Sequence, residues 1–232
     1  MSQNAFPSIL FFDVLGTIVE WRFCIANELN TAAQKALQDQ SRSLSPNIRE
    51  RVSDMSASSW QEISEEWHGA YMNFGNTYDA SEPFITVDEH NRNSLETILT
   101  KHLLRELFSE DDLNDLTLAW HRLDSYPDSV PGLSLLNAKF PTSTLSNGNV
   151  KLLEDLQEHN SLPFKHLTSA EHLGAYKPCG FQTIYLERHL EEAWDSEDVA
   201  RAREEGIVDV WVKVEGKGLI DVARHFGIES EV

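Results

Sequence analysis

Residues 8 to 12, Ser-Ile-Leu-Phe-Phe, make a short apolar run without polar alternation, which predicts a strand buried on both faces as in a parallel sheet. From about residue 21 to 123 the apolar positions change to helical spacing. Phe23, Ala26, Leu29, Ala33 and Leu37 share one face. Trp60, Ile63, Trp67, Tyr71 and Phe74 form a second stripe at steps of 3, 4, 4 and 3. Leu95, Ile98, Leu99 and Leu103 supply a third, and Leu113, Leu116, Trp120 and Leu123 a fourth. Such stripes are core-facing surfaces of amphipathic helices. A helical insert therefore follows the first strand, with loops at "QDQSRSLSPN" and "GNTYDASEPF".

The segment "DSYPDSVPG", residues 124 to 132, breaks this pattern with two prolines and a glycine and predicts a domain crossing. Beyond it the pattern alternates: helix over Leu133–Leu136, strand over Phe140–Leu145, helix over Val150–Leu156, and a short strand over Phe164–Leu167. "GIVDVWVKV" reads as a further strand and "GLIDVARHFGI" as a closing helix. Alternation of this kind implies an α/β fold whose parallel sheet is built by right-handed crossovers. The expected organisation is a core of residues 1–20 and 125–232 with a helical cap over 21–124. No internal repeat is visible, and the acidic stretch "ERHLEEAWDSEDVARAREEG" reads as a solvated helical face.

A chain of 232 residues, 41% apolar, can bury a substantial core. Acidic residues outnumber basic ones 38 to 19, for a formal charge of −19. That field repels phosphate backbones and anionic lipid surfaces, so neither nucleic acid nor a membrane is expected as a partner. A small-molecule substrate remains, and an anionic one would need a local basic pocket; a homodimer is left open. Cys24 and Cys179 are too few for a disulfide framework or a cysteine metal cluster. No apolar run approaches the roughly 18–20 residues of a membrane span. A soluble, reduced, cytoplasmic protein is expected.

In open parallel sheets, ligands bind at the carboxyl ends of the strands. Asp13 ends the first strand, Ser146 and Asn147 end the second in "TSTLSNGN", and Lys177 lies after the third in "SAEHLGAYKP". A carboxylate, a hydroxyl and amide pair, and a cation would thus converge on one edge, the cation keeping the carboxylate ionised. Each has a plainer reading: Asp before Gly-Thr forms turns, "SNG" is a generic turn, and a lysine before proline is commonly solvated. The ordered set, rather than any member, carries the functional reading.

The order FDxxGT, LSNGN, AYKP with a helical insert after the first resembles the haloacid dehalogenase superfamily. "FFDVLGTIVEWR", "AWHRLDSYPDSVPGL", "TLSNGNVKLLEDL" and "SAEHLGAYKP" are similar to its L-2-haloacid dehalogenase (type II) branch, fungal members most of all. The resemblance implies a Rossmann-like core with a helical cap and no cofactor or metal. It implies that Asp13 attacks the carbon bearing the leaving group to form an aspartyl ester that water then cleaves. Ser146 and Asn147 would bind the substrate carboxylate or the nucleophile, Lys177 would balance the charge on Asp13, and Thr17 would hold the nucleophile turn. Leu15 would border the substrate. Phosphatases of the superfamily carry a second aspartate at that position to protonate the leaving oxygen; leucine cannot, whereas a departing halide needs no proton.

Three departures accompany the likeness. The branch usually has tyrosine at the position of Leu15. A cap arginine cradles the halide in the branch; here His68 stands in "EEWHGAYMNF", where it is expected at the surface, and Arg22, Arg49 and Arg51 remain alternatives. The fourth motif is not found, because "AYKP" runs straight into "CGFQTIYLER". Either a helix and the fourth core strand have been lost, or "FQTIYLERHLEEAW" is the helix following the lysine loop, or "AWDSEDVARAREEG" is a displaced fourth motif with Asp195 in the site. A hydrolase of dehalogenase type leads these readings, ahead of an impaired or truncated relative and a Mg²⁺-dependent phosphatase.

Overall fold

A computed structural model describes residues 8–79, 81, 83–174, 176, 184–186, 210–212 and 218–228. Strand β1 (Leu10–Phe12) leads into α1 (Arg22–Gln38), α2 (Pro46–Ser53), α3 (Ala57–Thr77), α4 (Val87–Lys101) and α5 (Glu110–Thr117). The chain then returns through a 3₁₀ turn at Leu118–Arg122 to α6 (Ser129–Asn137) and β2 (Thr142–Thr144). α7 (Val150–Asn160), α8 (Ala170–Leu173), β3 (Ile184–Leu186), β4 (Val210–Val212) and α9 (Leu219–His225) follow. This is the expected α/β class, with a helical block inserted after the first strand.

Local chemistry marks the helix starts. Ser45 accepts the N–H of Ile48, and Ser56, Thr86 and Ser109 each open a capping box for α3, α4 and α5. The interior of the insert is aromatic: Trp60, Trp67 and Trp120 are fully buried, and Trp67 meets Trp120 edge-on at 5.3 Å.

β1 and β2 pair in parallel, Leu10 opposite Thr142 and Phe12 opposite Thr144. β2 is a buried strand of hydroxyls rather than hydrocarbon. Ser143 bonds the Thr168 hydroxyl at 3.0 Å, and Thr144 donates to the Thr168 carbonyl at 3.0 Å. β3 and β4 form a second parallel pair, Ile184 opposite Val210. Among the described residues no strand joins the two pairs, consistent with a missing core strand. The extended Ile184–Leu186 overturns the helical reading of that segment; Asp195 and the acidic stretch from 187 to 206 lie outside the described residues.

Several expectations are corrected. β1 is not buried on both faces, since Phe11 is 40% exposed. α1 buries Ile25, Leu29, Ala33 and Ala36; the predicted face keeps Leu29 and Ala33 at its centre but is rotated, so that Ala26 and Leu37 are half-buried and Phe23 lies outside. Leu103 follows the end of α4 with a positive φ of 57° and turns outward, so Leu104 takes its place in the core. Residues 164–167 make an isolated bridge, Ser143 to His166, rather than a strand. α6 already begins at Ser129, because Pro131 sits in its first turn, where a missing N–H costs nothing.

The two crossings between core and insert run side by side. The Glu20 N–H donates to the Asp124 carbonyl at 2.8 Å and the Tyr126 N–H to the Ile18 carbonyl at 3.1 Å. The Ser129 hydroxyl also donates to Ile18, at 2.7 Å. Among the described residues no helix is long and apolar enough to cross a membrane.

α6 and α9 touch through Gly132, where an added Cβ would lie 2.4 Å from Leu219 Cβ and 2.9 Å from its carbonyl carbon. Backbone cannot yield as a flexible side chain can. Gly132→Ala is therefore expected to destabilise the fold by about 1–3 kcal/mol, read as a lower urea midpoint at unchanged slope.

Candidate active site

Asp13 stands directly after β1, half-buried, at the carboxyl end of the strand. The turn behind it is tightly wound: the N–H groups of Thr17, Ile18 and Val19 all point to the Val14 carbonyl, at 3.3, 2.9 and 3.1 Å. Gly16 makes this possible with φ of 81°, and its N–H donates to Val19 at 2.9 Å. Leu15 is buried inside the turn, so no carboxylate or other proton donor stands at that position. Thr17 is half-buried at the turn's apex.

The β1–β2 register brings the second loop alongside. The Leu145 N–H donates to the Phe12 carbonyl at 2.7 Å, placing Ser146 and Asn147 at the same sheet edge as Asp13. Ser146 is buried, and its hydroxyl accepts the Gly148 N–H at 3.1 Å while its carbonyl accepts the Ala170 N–H at 2.8 Å. The Ser169 hydroxyl donates to Gly148 at 2.6 Å. Ser146 thus shapes the loop that presents Asn147, whose own side chain lies half-buried under the insert.

α3 closes the site from above with a face that runs through Ser64, His68, Tyr71 and Gly75, at steps of 4, 3 and 4. At one end the Ser64 hydroxyl donates to the Arg22 carbonyl at 3.3 Å. At the other, a Cβ on Gly75 would stand 3.1 Å from the Asn147 side-chain nitrogen, so a larger residue there would push that side chain aside by a few tenths of an ångström. Between them, His68 lies flat on Trp21, centroids 3.9 Å apart and planes 8° from parallel. Burial pushes the His68 imidazole down to about 4; the Asp13 carboxylate opposes this and Arg22 reinforces it. Burial, helped by the charge on Asp13, also drives the Tyr71 phenol far up, so it stays protonated. A neutral imidazole and a neutral phenol therefore face the carboxylate from the insert. His68 is not the surface residue that the sequence suggests. Of the three alternative arginines, Arg22 lies beside this group, over Trp21 at 5.2 Å, whereas Arg49 and Arg51 are exposed on α2.

The lysine loop is tied to the insert by Tyr176. Its phenol donates to the Ile85 carbonyl at 2.6 Å, and its ring packs on Phe74, Tyr78 and Phe84 at 5.0–5.2 Å. Lys177, next in the chain, lies outside the described residues. Sequence reasoning singled out Asp13, Leu15, Thr17, Ser146 and Asn147, which the fold gathers at one edge. It named His68 but expected it at the surface, counted Tyr71 only as part of the apolar stripe, and missed Ser64 and Gly75, which lie on the neighbouring face. The available signal was the polar line 64, 68, 71, 75 at helical spacing.

No family model matches the sequence, and no curated protein matches it. Solved structures do. The chain is similar to an L-2-haloacid dehalogenase at 24% identity and a TM-score of 0.70, covering 97% of this chain and 100% of that one. L-2-haloacid dehalogenase from Xanthobacter autotrophicus, with chloropropionic acid covalently bound, aligns at 16% identity and a TM-score of 0.66, covering 96% of this chain and 99% of that one. A defluorinating L-2-haloacid dehalogenase aligns at 22% identity and a TM-score of 0.62, covering 95% and 78%. At these identities the likeness is one of fold, and the fold is that of the haloacid dehalogenases.

The depressed His68 value has a consequence for folding. The unfolded chain takes up a proton near the ordinary value of 6.5 that the folded chain refuses until about pH 4. The stabilisation is complete above pH 6.5 and lost as pH falls towards 4, by up to about 1.4 kcal/mol per pH unit. Urea unfolding of wild type and His68→Phe across that range is expected to show this acid loss in wild type and a shallower one in the variant.

Proposed function

We propose that the chain is a hydrolase of the 2-haloacid dehalogenase type. The observation that carries this reading is the combination of Asp13 and buried Leu15 in one turn, a carboxylate at the strand end with leucine instead of a second acid two residues on. The Asp13 carboxylate attacks C2 of a small (S)-2-haloalkanoate from the side opposite the halogen. The carbon–halogen bond breaks, halide departs with the bonding electrons, and an ester joins Asp13 to the substrate. Water then adds to the ester carbonyl carbon, releasing the 2-hydroxyalkanoate and restoring the carboxylate. Asn147 and the 146–148 loop are suited to orient the substrate carboxylate, and Lys177, one residue beyond the anchored Tyr176, is the cation assigned to balance Asp13. His68 and Tyr71 enclose the reacting carbon and exclude bulk water.

A second reading, a protein of this fold that has lost turnover and is kept for binding, draws on the absence, among the described residues, of a strand joining β1–β2 to β3–β4. It predicts a weak, broad thermal transition, so a cooperative one accompanied by full turnover would sink it.

Halide release from (S)-2-chloropropionate is expected from the wild type and is expected to vanish in Asp13→Asn. A single turnover in ¹⁸O-labelled water is expected to leave label in the Asp13 carboxylate, detected by mass analysis of its peptide. Undiminished release by Asp13→Asn overturns the proposal.

A further inference from the structure

At the joint between insert and core, away from the Asp13 site, a buried histidine lies between two carboxylates from different elements. His121, in the 3₁₀ turn that ends the insert, places Nδ1 2.8 Å from Asp155 on α7 and Nε2 3.1 Å from Asp88 on α4. Its side chain is 5% exposed, and those of both aspartates 29%. Carboxylates only accept hydrogen bonds, so both contacts are satisfied only when both ring nitrogens carry hydrogen. A neutral imidazole can serve one aspartate and turns a lone pair towards the other.

The pair reaches the site loop. The second oxygen of Asp88 accepts from the Asn149 side chain at 2.9 Å, and Asn149 opens α7 two residues after Asn147. We propose that His121 is a positioning residue for the Asp13 site, an imidazolium clamp that binds α4 of the insert to α7 of the core around Asn149 and releases the insert when it loses its proton. The clamp regulates the site assigned above and so rests on that reading for its functional meaning, though not for its physical test.

The two aspartates favour the clamped state, while the cations Lys151 and Arg122 offset part of their charge; Arg122 itself pairs with Glu28 of α1 and Asp115 of α5. On α7, Lys151 holds the other Asp155 oxygen at 2.6 Å, and Glu158 and His159 lie further along; Asp88 comes from α4 and Arg122 from the turn itself. His159 faces Asp124 at 3.1 Å, a separate pair across the same joint. A groove of about 330 Å³ lined by Leu118, His121, Arg122, Asp155, Glu158 and His159 gives protons a way in. Burial alone lowers the imidazole's affinity for its proton, but the hydrogen bonds and charges of Asp88 and Asp155 outweigh it and raise the value above the ordinary 6.5. The clamp is therefore fully engaged below the unfolded value and lost as pH rises through the folded one.

The test follows the His121 ring by NMR and amide hydrogen exchange in α4 and α7, corrected for intrinsic exchange, in the substrate-free protein from pH 5 to 9. Protection is expected to fall about tenfold or more as His121 deprotonates, the scale of one charge-assisted hydrogen bond. His121→Gln is expected to give low protection at every pH, and His159→Gln to keep the wild-type transition. Asp155→Asn, which keeps the shape of the joint, guards against a His121→Gln protein that does not fold. It is expected to move the His121 midpoint and the protection transition down together. Protection indifferent to pH in the wild type, or a transition that stays put in Asp155→Asn while the His121 midpoint moves, overturns the clamp. Because no substrate is used, failure of the Asp13 chemistry leaves this result intact, and the reverse also holds.

Discussion

The structure depends on the antiparallel contact between the strand leaving the core and the strand returning to it. Residues 18–20 and 124–126 exchange backbone hydrogen bonds, and the Ser129 hydroxyl closes the contact on Ile18. This single crossing fixes the far side of the Asp13 turn, because Ile18 and Val19 belong to both. It also sets where the helical block begins, with Glu20 accepting the free N–H groups of Phe23 and Cys24 at the start of α1. The position of α3 over the sheet edge follows from that start, since Ser64 and His68 rest on Arg22 and Trp21. The Asp13 turn and the helix above it are therefore placed by one piece of backbone.

The acidic composition bears on the same geometry. Several of the insert's cations are engaged in structural pairs: Arg92 and Arg105 with Glu96 and Glu110, and Arg42 with Asp39 and Asp112. Such pairs in part-exposed positions add little stability each, but they neutralise carboxylates that would otherwise repel one another across the insert. Arg22, itself 3.4 Å from Glu65, is the cation of the insert that lies next to Trp21 and His68.

The helices, strands β1, β2 and β4 and the class of fold were legible because hydrophobic period reports burial, whereas β3 was not, and the strand-end rule then located Asp13, Ser146 and Asn147. What period cannot report is which neighbour a buried face meets. Phe23 scored as core by spacing yet lies outside, and the Thr-Ser-Thr of β2 is interior because Asn137 satisfies the hydroxyl of Thr142 and Thr168 those of Ser143 and Thr144. His68 read as surface because a histidine among glutamates resembles a solvated face, and its stack on Trp21 joins residues 47 positions apart. His121 was invisible for the same reason: its two partners come from helices on either side of it in sequence.

Tyr176 gives the loop before Lys177 and the segment before α4 a common hydrogen bond inside one aromatic cluster. Any swing of the insert that admits or releases a molecule must either break that bond or drag the loop with it. Exchange with solvent and disassembly of the site thereby become a single event.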